Sequence, residues 1–166
     1  MRGQKREKSS RRRGVALVEG PLALLPMLAI LFAVLDLGIA LFVRNMAQFA
    51  VCQGVRYAIT SQTLAGKGQD DSVKSVVQKY TLGFLDYLSP DHVGKNRISI
   101  TYYDPVTLAV VSGVGSNSGG NIVVVSATGL SWAWMVPLLN GTPAFTFAVS
   151  SAALMEATPI AGAPNR

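Results

Sequence analysis

A long apolar run dominates the first third of the chain. Residues 15–43 read VALVEGPLALLPMLAILFAVLDLGIALFV, and Glu19 and Asp36 are the only charged positions in this stretch. As a helix with a rise of ~1.5 Å per residue, the run is roughly 43 Å long, which exceeds the ~30 Å hydrocarbon core of a bilayer. The pattern therefore predicts one transmembrane helix over residues 15–43.

Helical periodicity continues beyond this run, to about residue 60. Small residues at helical spacing predict a smooth face over residues 44–60, made of Ala47, Ala50, Gly54 and Ala58. Such a face allows close backbone approach, either to a sheet of the same domain or to a neighbouring helix in an assembly. A second helix is predicted over residues 71–88, with Asp70 or Asp71 as its cap and Pro90 beyond its end.

The second half of the chain changes to a period of two. Ile98, Ile100 and Tyr102 alternate with polar residues, which is typical of a half-buried strand. Further strands are predicted around residues 107–111, 122–127 and 144–151. Residues 131–140 read as an irregular connection whose two tryptophans, Trp132 and Trp134, either lie at the membrane interface or pack against the sheet. The predicted fold class is α+β, with strands between about 97 and 151 in a small antiparallel sheet.

Charge is concentrated at the start of the chain. Of the 166 residues, 14% are charged, and residues 1–14 contain seven basic residues and one acid, which equals the whole net charge of +6. A basic segment directly before a transmembrane helix predicts an N-terminus in the cytoplasm and residues 44–166 outside. Because the rest of the chain is neutral overall, nucleic acid is not an expected partner.

Residues that carry out catalysis are scarce. One cysteine and one histidine exclude a disulfide framework and a His/Cys metal cage. His92 lies in a polar loop, and no nucleophile is paired with a base in the sequence. We therefore expect no enzymatic activity, no cofactor and no small-molecule substrate.

A small residue marks the junction between the basic segment and the apolar helix. Gly14 follows Arg13, and Glu19 lies five residues beyond the glycine. This spacing resembles a type IV prepilin junction, which implies that a prepilin peptidase cuts between Gly14 and Val15 on the cytoplasmic face.

The carboxylate of Glu19 then needs an explanation, because an acid costs ~2.5–3.5 kcal/mol at the centre of a membrane helix. Cleavage would create the α-ammonium of Val15, and the ammonium of a neighbouring subunit would make Glu19 a determinant of register in assembly. The alternative is that Glu19 only reaches the headgroups.

Several further steps extend this likeness over about 45 residues. They are Gly14 to Glu19, Leu25-Pro26, Asp36-Leu37-Gly38, Arg44, Gln48, Ala50 and Gly54 to Ala58. Their order and spacing are similar to those of the TadE-like family of pseudopilins from tight-adherence pilus systems. The resemblance implies a pilin-like outer domain and a minor, noncatalytic pseudopilin of a type IV pilus or related secretion machine. It also implies a single-pass protein of the bacterial cytoplasmic membrane that meets other pilins and pilus-assembly proteins, with Asp36 as an acid at the membrane edge.

Two other functions remain open at this point. The chain could be a major pilin that forms the filament itself. It could also be an unprocessed single-pass anchor whose outer domain binds an envelope partner, since Gly20 stands where the family usually has an aromatic residue.

Overall fold

The structure, a computed structural model, describes residues 4–135, 144–157 and 162–166, with side chains from Glu19 onward. The chain forms two compact units. Unit 1 comprises Met1–Ile39 and Trp134–Thr142, and unit 2 comprises Ala40–Ala133 and Pro143–Arg166.

The first element is a single helix, α1, over Gln4–Ile59. The sequence predicted a transmembrane helix over 15–43 that continues as helix over 44–60, and α1 is continuous across that boundary. This continuity agrees with the sequence, because residues 15–60 contain no run of turn-forming residues and their two prolines lie near the N-terminal end of the apolar stretch. The basic leader is helical from Gln4.

The helix predicted over residues 71–88 is divided into α2 (Gln69–Tyr80) and α3 (Phe84–Leu88). The break lies at Leu82 and Gly83, whose φ angles of 52° and 83° are both in the left-handed region. Thr81 ends α2 by donating its backbone N–H to the Val77 carbonyl at 3.1 Å. Glycine is the usual residue for this conformation just past a helix end. Gly83 therefore marks the helix break, although the helical spacing of apolar residues continues across it.

The N-cap of α2 also differs from the sequence prediction. Gly68 occupies the cap without a side-chain hydrogen bond, and Asp70 and Asp71 lie in the first turn. A Cβ at Gly68 would collide with the backbone carbonyl group of Arg166. Close approach of another backbone therefore requires glycine here, and the two aspartates stabilise the helix through its dipole instead of by capping.

Four strands form an antiparallel sheet in the order β2-β1-β3-β4. They are β1 (Ile98–Tyr103), β2 (Val110–Val111), β3 (Ile122–Trp132) and β4 (Phe145–Leu154). A short 3₁₀ helix over Gly94–Arg97 leads into β1. The long helices followed by this sheet confirm the predicted α+β class.

Strand β3 is longer than the 122–127 predicted. Its pairing with β4 shifts register between Ala127 and Leu130, and Gly129 in this bulge has a φ angle of 67°. A β-bulge accommodates extra residues in one strand, so that the pairing of β3 with β4 continues beyond it. Ser131 and Trp132 therefore belong to β3, whereas residues 136–140 of the expected connection lie outside the described residues.

The core of unit 2 is formed where the second half of α1 packs with α2 and the sheet. Valines from three elements are fully buried there: Val51 in α1, Val73 and Val77 in α2, and Val123 and Val125 in β3. Gly54 of α1 lies at the centre of this contact, since a Cβ at that position would be 2.5 Å from Val77 Cγ2 and 3.8 Å from Val125 Cγ1. The packing leaves no room for a side chain at position 54 of α1.

We expect Gly54→Ala to destabilise unit 2 by about 1–3 kcal/mol, because overpacking a dense core with stiff valines forces backbone shifts. The helix-forming tendency of alanine offsets up to about 1 kcal/mol of this. Thermal unfolding of the full chain in detergent, followed by loss of sheet signal in circular dichroism, measures the change. Gly38→Ala is the matched control, because a Cβ there meets nothing within 4 Å. An equal midpoint for both variants would contradict the proposed packing.

Candidate functional site

The first half of α1 presents apolar side chains without a protein cover. In unit 1, Leu22, Leu25, Met27 and Ile30 are all more than 65% exposed. A contiguous surface of large, exposed apolar side chains is typical of a contact with lipid or with another protein. Among the described residues, α1 contains the one stretch, Glu19–Ile59, that is long and apolar enough to cross a membrane.

The three residues predicted to matter for processing and register lie at the start of this surface. Gly14 and Val15 are within the helical backbone of α1. Glu19 is exposed, and it makes no hydrogen bond or ion pair with another side chain that the structure describes. Within the described part of the chain, the Glu19 carboxylate is therefore accessible.

The second acid of the apolar stretch has a different environment. Asp36 is only 3% exposed, and its Oδ2 accepts a hydrogen bond of 2.8 Å from the backbone N–H of Met135. Both residues belong to unit 1. Asp36 therefore holds a segment that is 99 residues away in the sequence.

The small-residue face lies inside unit 2. Ala50 and Ala58 are fully buried, Ala47 is 2% exposed, and Gly54 contacts the valines of α2 and β3. Of the two uses that the sequence left open, this face serves the domain's own core. Beside it, Gln48 donates a hydrogen bond of 2.8 Å to the Ser150 carbonyl of β4 and a weak one of 3.7 Å to the half-buried thiol of Cys52.

The family model described as TadE-like protein matches residues 14–56. Over this segment, the chain is similar to TadE-like proteins. The match covers about a quarter of the chain and confirms the resemblance over those residues. No curated protein and no solved structure matches the chain significantly.

The TadE-like segment lies entirely within α1. It begins at Gly14, includes Glu19 and Asp36, and ends at Arg56, two residues before the last alanine of the small-residue face. It thus contains both the exposed apolar surface and most of the helix that packs in unit 2. The match associates the chain with tight-adherence pili, and the apolar helix indicates a membrane anchor.

Outside the TadE-like segment, unit 2 contains a polar cluster that sequence reasoning did not identify. One oxygen of Asp70 accepts a hydrogen bond of 2.8 Å from the Tyr102 hydroxyl, and the other lies 2.9 Å from Arg166 Nη2. The Arg166 guanidinium also lies over the Tyr102 ring, with Cζ 4.9 Å from its centroid. Burial and then the Asp70 charge raise the pKa of Tyr102 well above its ordinary value, so the hydroxyl stays protonated and donates.

The same cluster fastens residues 162–166 to the start of α2. The Gln69 backbone N–H donates to the Asn165 carbonyl at 2.6 Å, and Asn117 Nδ2 donates to the Pro164 carbonyl at 2.7 Å. Asn117 also donates to the Gln69 side chain, whose Nε2 donates at 2.9 Å to the Ala58 carbonyl near the end of α1. This chain of hydrogen bonds joins four separate parts of the sequence, which explains why local patterns gave no sign of it.

Two other titratable side chains, His92 and Asp71, lie at the surface. The described residues contain no group of three or more His, Cys, Asp or Glu side chains that could hold a metal ion. His92 is exposed in the loop after α3, with a φ angle of 53°. Asp71 forms an exposed ion pair of 3.2 Å with Lys95, whose hydrogen bond and charge lower the pKa of that carboxyl.

We expect Asp70→Ala to lower the free energy of unfolding of unit 2 by about 1–3 kcal/mol, because it leaves the buried Tyr102 hydroxyl and Arg166 without their shared acceptor. The adjacent Asp71→Ala is the control, since its exposed ion pair contributes at most about 1 kcal/mol. Both substitutions bring the same helix propensity. Chemical denaturation of the two variants measures the difference, and equal losses would show that the Asp70 cluster does not stabilise the fold.

Proposed function

We propose that this chain is a minor, noncatalytic pseudopilin-like component of a tight-adherence type IV pilus or a related secretion machine. The observation that carries the proposal is the coincidence of the TadE-like match with α1, whose first half is apolar and exposed. Unit 2 packs on the second half of the same helix. One helix can therefore supply a lipid anchor from its first half and a core element of unit 2 from its second half.

The apolar surface supports an assembly role as well as anchoring. Exposed apolar side chains such as Leu22 and Ile30 are stable in contact with lipid. They would pack equally well against apolar helices of neighbouring subunits in a filament. Since the small-residue face is already used in unit 2, subunit contacts would fall on the larger exposed side chains of residues 22–42. In this proposal, the partners are the cytoplasmic membrane, other pilins and pilus-assembly proteins.

The basic leader supports an orientation with the N-terminus in the cytoplasm. Seven basic residues precede the apolar stretch, and Arg44 is the first one after it. The asymmetry of Lys and Arg across a first membrane helix favours the basic end inside. Unit 2 is then exported, and the junction at Gly14 and Val15 faces a cytoplasmic prepilin peptidase.

Glu19 is the residue to which we assign register in assembly. Its carboxylate is exposed on an apolar surface, where it gains most from a charged partner. Removal of the leader would provide the α-amine of Val15, and α-amines are mostly protonated at neutral pH. A salt bridge between Glu19 and the Val15 ammonium of a neighbouring subunit would align the two helices along their axes.

Processing provides the first test. We expect N-terminal sequencing or intact-mass measurement of the membrane-extracted protein to show a chain beginning at Val15. Gly14→Val should block the cut, because the branched side chain fills a subsite that accepts glycine, while insertion continues since the apolar stretch is unchanged. Recovery of only the full-length wild-type chain would favour the unprocessed anchor and would remove the ammonium that Glu19 needs.

Assembly provides the second test. Glu19→Gln removes the charge but should leave insertion intact, because a neutral amide costs less in lipid than a carboxylate. A hydrogen bond between charged groups contributes about 1.5–3 kcal/mol, so we expect roughly a tenfold or greater fall in co-purification with other pilus components. Recovery is normalised to the amount of the variant in the membrane.

The matched control is Glu156→Gln, an identical change at an exposed residue outside α1. It should leave co-purification unchanged. If Glu19→Gln also co-purified at the wild-type level, Glu19 would only reach the headgroups and the register role would be lost.

A further inference from the structure

One carboxylate is buried within the exposed apolar part of α1. Asp36 is 3% exposed, whereas its helix neighbours Leu35 and Leu37 are 52% and 49% exposed. Its covered side is continuous with two other less exposed positions, Ala29 and Ala33, which lie seven and three residues earlier on the same helix face. The Met135 backbone meets α1 at this acid.

The position of Asp36 along α1 fixes its depth in a membrane. It lies 17 residues after Glu19 and eight before Arg44, or roughly 25 Å and 12 Å along the helix axis. If Glu19 lies at one edge of a ~30 Å hydrocarbon core, Asp36 is about 5 Å inside the other edge. If Arg44 lies at that other edge, Asp36 is about 12 Å inside it. Each placement puts Asp36 within the hydrocarbon layer.

The Met135 N–H, which is hydrogen-bonded to Asp36, has to lie at the same depth in the membrane. We propose that the segment at Trp134 and Met135 enters the membrane beside α1, on the Arg44 side, and is held there by the Asp36 carboxylate. The inference rests on the proposed anchoring of α1 in lipid. It gives the protein a second contact with the bilayer, separate from the helix itself.

The chemistry of the segment fits this location. An unsatisfied backbone N–H costs several kcal/mol in lipid, and Asp36 satisfies that of Met135. The same contact supplies a donor to a carboxylate that would otherwise be costly at this depth. The hydrogen bond therefore offsets the desolvation cost of the Met135 N–H and that of the Asp36 carboxylate. Both costs arise only when these groups leave water.

The side chains of the segment also suit a lipid environment. Met135 is 57% exposed, and the sequence continues with the apolar residues Val136, Pro137, Leu138 and Leu139. Trp134 is half-buried in unit 1, and tryptophan is enriched at the level of the headgroups. Its neighbour Trp132 instead belongs to unit 2, where it is 2% exposed and meets Tyr87 edge to face at 6.1 Å. Trp132 thus packs in unit 2, as one of the two alternatives from the sequence has it, whereas the proposal places Trp134 in the other, the membrane interface.

Fluorescence quenching in the full chain tests the inference. In a Cys52→Ser background, single cysteines at Phe32, Met135 and Val114 would carry an environment-sensitive fluorophore. The protein would be reconstituted in phosphatidylcholine and phosphatidylglycerol vesicles containing acyl-chain spin labels. The label at position 32 shows whether α1 is inserted in lipid. The label at position 114, a fully exposed residue of the loop before β3, is the control for a site in water.

We expect strong quenching at positions 32 and 135 and little at position 114. A spin label near the headgroup should quench position 135 more than a label at the acyl-chain terminus does. Quenching at position 32 but not at position 135 would overturn the inference and leave the anchor intact, including the case in which the segment binds another protein. Absence of quenching at position 32 would overturn the anchoring as well.

Variants of Asp36 test the contact itself. Asp36→Asn keeps an oxygen that accepts the Met135 N–H, so quenching at position 135 should persist. Asp36→Leu removes the acceptor, and quenching at position 135 should fall by about twofold or more as the segment moves toward water to satisfy its backbone. Quenching at position 32 should not change in either variant. Equal quenching at position 135 in the Leu and Asn variants would show that Asp36 does not hold the segment.

Discussion

The structure depends on one helix that has to satisfy two different environments. In its first half, α1 exposes leucines, isoleucines and phenylalanines, and in its second half it buries alanines, valines and Gly54 in the core of unit 2. Large exposed apolar side chains are stable in lipid or against similar helices, whereas small buried ones allow a sheet and a helix to approach closely. The change in side-chain size along α1 therefore assigns a different environment to each half.

Much of this plan follows from local pattern. The apolar run and the change from a helical to a twofold period predict the α+β class, because they reflect which side of each element is buried. The small-residue face from Ala47 to Ala58 is also readable in the sequence. Its use was not readable, since a smooth helix face suits a sheet as well as another helix. The valines of α2 and β3 that pack on Gly54 decide between these uses, and they lie far away in the chain.

The features that sequence reasoning missed depend on contacts between distant residues or on unusual backbone angles. Leu82 adopts a positive φ angle that its identity does not suggest, and this divides the second helix. The bulge at Gly129 extends β3 past a residue that locally indicates its end. Asp70 looks like a helix cap in the sequence, but it is the acceptor for Tyr102 and Arg166, which are 32 and 96 residues away. Spacing along the chain cannot encode such partners.

The two acids of the apolar stretch show why burial has to be combined with position. Glu19 and Asp36 look alike in the sequence, as single carboxylates near opposite ends of one hydrophobic run. The chain gives Asp36 a backbone donor of its own, so this acid needs nothing from outside to be tolerated in an apolar environment. Glu19 has no such donor among the described side chains, and in the proposed assembly its compensation comes from headgroups or from another subunit. The proposed assembly role therefore falls to Glu19, which is exposed, whereas the covered Asp36 accepts the hydrogen bond from Met135.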